Sequence, residues 1–287
     1  MNNSQSTWEE AVLWLRAQPE QQDLVRACYY DDPLLDAAER FEASQEWQAT
    51  LKLFPQSGGY ALDLGAGRGI SSYALVRVGW RVDALEPNPS DVVGQGAIQK
   101  LAYESGLQIS TIRGYAEKIP SVDAHYDLVY GRQVLHHAQS LRRMCNEVAR
   151  VLKPGGKFIA TREHVISRKE DLSVFLTNHP LHHLYGGENA FLLDEYLGAI
   201  QDSGLRIERI LGPYDTPINY FPMTDSQWRS QIQSPITWFI GTRLTKLLLS
   251  EALAWTNAIN RCLAFFASQR NDNPGRLYTF IAIKPIG

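Results

Sequence analysis

Cysteine is scarce in the 287-residue sequence, and the features of secreted and membrane-spanning proteins are missing. The three cysteines, Cys28, Cys145 and Cys262, lie far apart and form no C-x-x-C pair. Isolated thiols exclude a disulfide framework and indicate a reducing compartment. The N-terminal residues lack the basic start and apolar block of a signal peptide. The most apolar late stretch, residues 236–249, contains an arginine and a lysine and is too short to span a bilayer. We therefore expect a cytoplasmic protein without a transmembrane segment.

An excess of positive charge is also absent. The sequence has 28 lysines and arginines against 31 aspartates and glutamates, a formal net charge of −3. A surface that binds nucleic acid usually has a clear basic excess, so nucleic acid is not an expected partner. Hydrophobic residues make up 44% of the chain, which is ample for one packed α/β domain with additional elements.

Glycine is concentrated in one segment, residues 60–75, which reads YALDLGAGRGISSYAL. An apolar run leads there to Asp63 and then to Gly65, Gly67 and Gly69, after which a helix is predicted. A strand, a tight turn and a helix N-terminus suit a nucleotide-like ligand, because the backbone approaches closely and offers free N–H donors. The dinucleotide fingerprint G-x-G-x-x-G would place its third glycine at position 70, where Ile70 stands.

The segment that begins at Asp63 resembles motif I of the class I S-adenosylmethionine (SAM) methyltransferases, D/E-x-G-x-G-x-G. The resemblance implies that SAM is the cofactor and S-adenosylhomocysteine the product. It also implies that Asp63, Gly65, Ala66 and Gly67 belong to the cofactor site.

A second cofactor element is predicted at the end of the next strand. Glu86 lies 21 residues beyond Gly65, close to the roughly 20-residue spacing of an acid that holds ribose hydroxyls. The two oxygens of one carboxylate can accept from both hydroxyls. Pro87 opens a Pro-Asn-Pro turn that we expect near the adenine.

Residues 114–120, GYAEKIP, resemble the G-D-A-E-x-L-P block of the same family. Tyr115 stands where that pattern has an aspartate. Its phenol can stack on the base or donate a hydrogen bond, but it cannot accept as a carboxylate does. Ala116, through its backbone, and Glu117, through its side chain, are further candidates for the adenine site.

Two more blocks extend the resemblance to residue 163. YDLVYG at 126–131, followed by His136 and His137, and RVLKPGG at 150–156 resemble segments of the broad UbiE-like, type 11 methyltransferases. Arg132, between them, is a candidate cofactor-binding residue. Residues 153–156, KPGG, are predicted to form a chain-reversing turn. The resemblance implies a fold and a cofactor and says nothing about the methyl acceptor.

The predicted fold class is α/β, with a Rossmann-like, seven-stranded, mostly parallel sheet in the order 3-2-1-4-5-7-6. We expect an N-terminal helical cap in residues 1–55, a SAM-binding core in residues 56–211 and 277–287, and a helical insertion in residues 212–276. In the cap, one helical stretch is predicted over residues 33–53. Besides a structural role for the cap, closure over the ligand by Tyr29, Tyr30 or Arg40 is the alternative.

The insertion carries an apolar stripe at helical spacing, which predicts packing against the core. A substrate lid, a homodimer face and a membrane-surface contact remain alternatives. The stripe consists of Leu244, Leu248, Ala252, Trp255, Ile259, Leu263 and Phe266.

Six of the seven histidines map to the carboxyl ends of the predicted strands, where open α/β sheets bind ligands. A hydroxyl or ammonium acceptor must lose a proton, and histidine suits that task near neutral pH. We hypothesise that His137, or His136 as second choice, is the general base or orients the acceptor, although a structural histidine satisfied by the backbone is an equal alternative. The candidate acceptor-binding residues are His164, His182, His183, Tyr185 and Glu188. No metal ion is expected, because the sequence predicts no helix carrying H-x-x-x-H and has no cysteine pair.

The sequence thus predicts an enzyme that transfers a methyl group from SAM to an oxygen, or a nitrogen, of a small-molecule acceptor. Two alternatives remain. A nicotinamide-dependent oxidoreductase is disfavoured by Ile70, and a non-catalytic SAM-binding scaffold would bind the cofactor without transferring methyl.

Overall fold

The computed structural model describes residues 6–55, 58–240, 256–268 and 274–286. Within these residues, eight strands form one sheet in the order β3-β2-β1-β4-β5-β8-β7, and the two-residue β6 pairs with β5. When β6 is set aside, this is the predicted order 3-2-1-4-5-7-6, and the predicted α/β fold is confirmed. The strands are β1 (Tyr60–Leu64), β2 (Arg81–Leu85), β3 (Ile109–Ile112), β4 (Tyr126–Arg132), β5 (Leu152–Ile166), β6 (Phe191–Leu192), β7 (Arg206–Leu211) and β8 (Arg276–Ile283).

Helices cover both faces of this sheet. The first are α1 (Trp8–Arg16), α2 (Gln22–Ala27), α3 (Leu34–Glu42), α4 (Gln45–Leu51), α5 (Ile70–Arg77) and α6 (Gln95–Ser105). The later ones are α7 (Leu141–Val151), α8 (Asp171–Asn178), α9 (His182–Tyr185), α10 (Leu193–Asp202), α11 (Pro217–Tyr220), α12 (Asp225–Ile240) and α13 (Thr256–Ser268).

The strand directions follow from the connections. Helices α5 and α6 link β1, β2 and β3, and such crossovers make neighbouring strands parallel. β8 runs antiparallel between β5 and β7. β4 is buried from both sides: Val129 packs with α7 and α10, whereas Leu128 and Tyr130 pack with α3, α4 and α5. The carboxyl ends of β1, β2 and β4 therefore meet at one edge, where a ligand site is expected.

The single helix predicted over residues 33–53 is two helices, α3 and α4. Ser44 separates them, because its Oγ accepts a hydrogen bond from the Trp47 N–H (3.1 Å) and donates one to the Phe41 carbonyl (2.7 Å). A serine that caps a new helix in this way ends the previous one. The rings of Phe41 and Trp47 are buried and anchor both helices on the sheet.

The predicted chain-reversing turn at residues 153–156 is wrong. These residues belong to β5, and they form an irregularity in its pairing with β4. Tyr126 pairs with Leu152 and Leu128 pairs with Lys157, so five steps along β5 oppose two along β4. Gly155 has φ +80° there, a conformation that glycine adopts without strain. The KPGG segment therefore makes a bulge that leads directly into the strand.

The three-part division of the chain stays a prediction. Within 212–276, the described elements are α11, α12 and α13. Leu244, Leu248, Ala252 and Trp255 of the predicted stripe lie outside the described residues. Ile259, Leu263 and Phe266 lie on α13, where Phe266 is 67% exposed. Among the described helices, none has the length and apolar character needed to cross a membrane.

Candidate active site

A cavity of about 400 Å³ lies at the carboxyl ends of the parallel strands. The sheet provides one wall through the residues that follow β1, β2 and β4. Helices α1, α2 and α9 provide the other wall. Of the predicted cofactor residues, all line this cavity: Asp63, Gly65, Ala66, Gly67, Glu86, Pro87, Tyr115, Ala116, Glu117 and Arg132.

The glycine turn forms one end of the cavity. Gly65 has φ +64°, and a β-carbon there would come within 2.4 Å of the Val134 side chain. Gly67 has φ +54° and open space where a side chain would stand. The turn therefore presents bare backbone to the cavity. This is the cradle that a ligand of the size of SAM needs, so the residues fit the cofactor that the motif implies.

Two buried carboxylates stand beside the turn. Glu86 accepts hydrogen bonds from the N–H groups of Gly67 (2.8 Å) and Asn88 (2.9 Å). Asp63 accepts one from the Ser72 hydroxyl (2.6 Å). Burial raises the pKa of Glu86 to about 6 and that of Asp63 to about 7, because removal from water penalises the charged form. Both acids therefore titrate near neutral pH.

The predicted adenine end is more open. Tyr115 is 66% exposed at the cavity rim, while Ala116 is buried. Glu117 accepts a hydrogen bond from the Gln139 N–H (2.9 Å), so its carboxylate is held by the segment that precedes α7. An exposed ring at the rim of a cavity is free to stack on a planar ligand.

The guanidinium of Arg132 forms an ion pair with Glu46, a residue that sequence reasoning missed. Its Nε and Nη2 donate to the two carboxylate oxygens of Glu46 on α4, at 2.6 and 3.1 Å. Glu46 is fully buried. The Arg162 Nη1 lies 3.8 Å from the same carboxylate. Arg132 therefore joins the N-terminal helices to the sheet as well as lining the cavity. The 86 positions between the two residues leave no local sequence signal of this pair.

The other end of the cavity is formed by histidines and carboxylates. His136 is buried, and its Nδ1 lies 2.8 Å from Oε2 of Glu163. Glu163 also accepts from the backbone N–H groups of Val134 (3.0 Å) and His136 (3.1 Å). Burial lowers the pKa of His136 well below its usual value and raises that of Glu163. Glu163 thus fixes the position of the His136 ring. Sequence analysis missed it because it is one acid within a long buried strand.

His137 and Glu188 complete this end. The exposed His137 has Nδ1 3.0 Å from the Gly187 carbonyl, and the buried Glu188 accepts a hydrogen bond from the Tyr185 hydroxyl. Oε2 of Glu188 lies 3.7 Å from Nε2 of both His136 and His179. Burial alone would raise the pKa of Glu188, but the nearby histidines outweigh it, and the pKa is lowered.

The remaining predicted histidines divide into two groups. His164 lines the cavity and places Nδ1 2.9 Å from the Gly275 carbonyl; burial lowers its pKa to about 3. His182 and His183 lie on α9 and do not belong to the cavity lining. His183 places Nε2 2.8 Å from the Thr177 carbonyl. The cavity therefore unites His164, Tyr185 and Glu188, and it leaves His182 and His183 outside.

Residues 62–160 match the family model described as "Methyltransferase domain". The chain is 35% identical over 106 residues to a dimethylglycine N-methyltransferase of Parasynechococcus marenigrum, which covers 36% of this chain and 37% of that protein. It is 23% identical over 190 residues to a ubiquinone biosynthesis O-methyltransferase of a Methylobacterium species, covering 65% of this chain and 73% of that protein. The chain thus spans little more than a third of the first relative.

Two solved structures show the same fold. The [4+2]-cyclase SpnF has a TM-score of 0.55 at 20% identity, covering 88% of this chain and 83% of that one. A geranyl diphosphate C-methyltransferase from Streptomyces coelicolor A3(2) has a TM-score of 0.57 at 15% identity, covering 98% and 89%. The family match identifies residues 62–160 as a methyltransferase domain.

Proposed function

We propose that this protein transfers a methyl group from SAM to an oxygen or nitrogen atom of a small-molecule acceptor bound in the cavity. The observation that carries the proposal is the arrangement of the cavity itself. One end has the glycine turn and Glu86, and the other has a cluster of histidines with Glu188. A single cavity of about 400 Å³ with both ends is suited to holding a methyl donor beside an acceptor.

The glycine turn and Glu86 are proposed to hold the cofactor. Bare backbone at Gly67 leaves room for the amino-acid part of SAM, and the Glu86 carboxylate can accept from the ribose hydroxyls. Bound SAM supplies an electrophilic methyl group on a sulfonium. Much of the rate can then come from positioning and from the exclusion of water.

His137, with His136 as second choice, is proposed to take the proton of the acceptor. Since a carbonyl only accepts hydrogen bonds, Nδ1 of His137 carries the proton shared with Gly187, and Nε2 keeps its lone pair. Nε2 is therefore the atom that can remove a proton from a hydroxyl or ammonium group. His136 is held by Glu163 in a similar way and is suited to orienting the acceptor.

The wall between the two ends favours an acceptor with an apolar body. It is built from side chains of the N-terminal helices and of the segment around α9, among them Trp8, Leu15, Leu24, Tyr30 and Leu181. Trp8 and Tyr185 are in ring contact, with centroids 4.6 Å apart. A cytoplasmic location is proposed from the three isolated thiols.

The test is transfer of labelled methyl from SAM into an extract of the source organism, separated into small-molecule, lipid, glycan and macromolecular fractions. We expect label in a small-molecule fraction. His137→Ala is expected to lower turnover by about 10²-fold or more while SAM affinity stays within about twofold. His125→Gln is the matched control, because His125 lies before β4, against Tyr60 and Tyr126. Label in no fraction despite SAM binding would instead favour a non-catalytic SAM-binding protein or an acceptor that is absent from that extract.

A further inference from the structure

Three side chains at the histidine end of the cavity converge on one point. One donor atom each from His136, His137 and Glu188 lies within 4.8 Å of the other two. They come from two separate parts of the chain: the turn after β4 and the loop after α9. Two imidazoles and one carboxylate are a common ligand set for divalent transition metals in proteins.

In both histidines, Nδ1 is engaged by an oxygen acceptor, so Nε2 is the nitrogen that can bind a metal ion. Nδ1 of His136 is engaged by Glu163 at 2.8 Å, and Nδ1 of His137 by the Gly187 carbonyl at 3.0 Å. An oxygen acceptor on Nδ1 keeps the proton there and leaves the lone pair on Nε2. Metal-binding histidines characteristically have such a carboxylate or carbonyl behind them, because it fixes the ring and increases its basicity.

Glu188 provides the second, independent observation. Its side chain is only 5% exposed, and Oε1 is held by the Tyr185 hydroxyl. Oε2 is buried and has no hydrogen-bond partner in the part of the chain that the structure describes. Nε2 of His136 and Nε2 of His179 each lie 3.7 Å from this oxygen. A buried carboxylate oxygen is costly unless it is paired or binds a cation.

The distances leave room for a metal ion after small side-chain movements. Ligands about 2.1 Å from a tetrahedral ion are roughly 3.4 Å apart, and Nε2 of His136 and Oε2 of Glu188 are 3.7 Å apart. His179 is not counted as a ligand. The Leu181 N–H donates to Nδ1 of His179, with the two nitrogens 3.4 Å apart. The ring proton of His179 is therefore on Nε2, the nitrogen that faces Glu188, and Nε2 has no lone pair for a metal ion.

We propose that His136, His137 and Glu188 bind a divalent first-row transition-metal ion whose open coordination positions face the methyl acceptor. This inference rests on the proposed methyl transfer, and it replaces the proton step proposed above, in which His137 is the base. The acceptor hydroxyl binds the cation and loses its proton to solvent. An oxygen lone pair then forms the bond to the methyl carbon, the electrons of the C–S bond pass to sulfur, and S-adenosylhomocysteine leaves. A cation lowers the pKa of a bound hydroxyl, so the histidines act as ligands in place of a base.

The test is direct binding of Co²⁺ to tag-free, full-length protein, followed by visible absorption, with Zn²⁺ titration by calorimetry. We expect one cation per chain. Glu188→Gln and His137→Ala should each weaken binding at least tenfold, and His125→Gln should bind like the wild type. Since His137 is exposed, its replacement is expected to leave the fold intact, which circular dichroism checks. Absence of cation binding by the wild type, or unchanged affinity in both ligand variants, would overturn the proposal.

The same preparations separate this proposal from the proposed function. SAM binding and methyl transfer are measured before and after treatment with a chelator. Chelator-sensitive transfer that Co²⁺ or Zn²⁺ restores supports the cation site. Transfer that persists without any cation rejects the proposed role of the cation in the reaction and leaves the methyltransferase activity in place. Cation binding in a protein that does not bind SAM supports the site and rejects the proposed function.

Discussion

Arg132 at the end of β4 donates two hydrogen bonds to the buried carboxylate of Glu46 on α4. The rings of Tyr29 and Phe41 lie against the guanidinium, with centroids 5.5 Å from its carbon. This ion pair fastens the N-terminal helices to the sheet edge at which the cavity opens. The cavity wall contributed by those helices therefore depends on it.

Replacement of Glu46 by alanine is expected to be strongly destabilising. It leaves the Arg132 charge buried without its partner, close to the second guanidinium of Arg162. Removal of one partner of a buried pair typically costs about 3–5 kcal/mol. We expect a decrease of that size in the free energy of unfolding, measured by urea denaturation.

The double variant Glu46→Leu/Arg132→Met is the matched control. Replacement of a buried ion pair by apolar residues is often neutral, so this variant should recover much of the stability lost in Glu46→Ala. Arg77→Ala should cost less than about 1 kcal/mol, because its ion pair with Glu42 lies at the surface. If Glu46→Ala decreases the free energy of unfolding as little as Arg77→Ala does, the buried ion pair does not stabilise the packing of the N-terminal helices on the sheet.

Asp63 makes stability depend on pH. Burial raises its pKa from 3.8 to about 7, so between these values the folded protein keeps a proton that the unfolded chain has released. Stability therefore falls as pH rises from about 4 to 7 and is level above. About three pH units at 1.36 kcal/mol each give a loss of about 4 kcal/mol. Because Glu86 also titrates in this range, the contribution of Asp63 is the difference in urea denaturation between the wild type and a variant that lacks this acid.

Asp63→Asn tests this assignment. The neutral amide can still accept from the Ser72 hydroxyl, and it does not ionise. We expect the variant to match the wild type near pH 4 and to be the more stable protein at pH 8. Equal stability of the two proteins across the whole range would contradict a buried, titrating Asp63.

The parts of the site that the sequence predicts are those encoded by neighbouring residues. Asp63, Gly65 and Gly67 lie within five positions, and a strand followed by a glycine turn has few other structural solutions. The position of Glu86 is predicted for the same reason, since it directly follows the adjacent strand β2. Because local geometry fixes the positions of these residues, their place in the site can be predicted before the fold is known.

The partners across the cavity could not be predicted, because tertiary packing alone brings them together. His136 and Glu163 are 27 positions apart, and Arg132 and Glu46 are 86 apart. The prediction that His182 and His183, after β5, bind the acceptor has a different weakness. The sequence cannot show which way its histidines face, and His182 and His183, on α9, are not among the residues that line the cavity.

Glu86 should make cofactor affinity depend on pH. Its carboxylate must be ionised to accept from two hydroxyls, and burial raises its pKa to about 6. Below that pH the affinity for SAM should fall by up to tenfold per pH unit, and above about 7 it should be constant. Calorimetric titration of SAM from pH 5 to 8 gives the profile.

Two variants assign that profile to Glu86. Glu86→Gln should bind SAM weakly at every pH and lose the inflection near 6. Asp63→Asn should keep the inflection, because Glu86 is unchanged in this variant. It therefore excludes Asp63 as the source of the pH dependence. An inflection that survives in Glu86→Gln would assign the pH dependence to another group.

Tyr115 is predicted to contribute to cofactor affinity by stacking. It is 66% exposed at the rim of the cavity, and a tyrosine cannot reproduce the hydrogen-bond acceptor that the family pattern has at this position. Aromatic contacts contribute about 0.5–1.5 kcal/mol beyond their buried area. Tyr115→Ala should therefore weaken SAM binding by roughly 2–10-fold, whereas Tyr115→Phe should bind like the wild type. The matched control is Tyr103→Ala, since Tyr103 is 88% exposed on α6 and lies outside the cavity lining. If Tyr115→Phe loses as much affinity as Tyr115→Ala, the hydroxyl donates a hydrogen bond to the cofactor and stacking is not the main contribution.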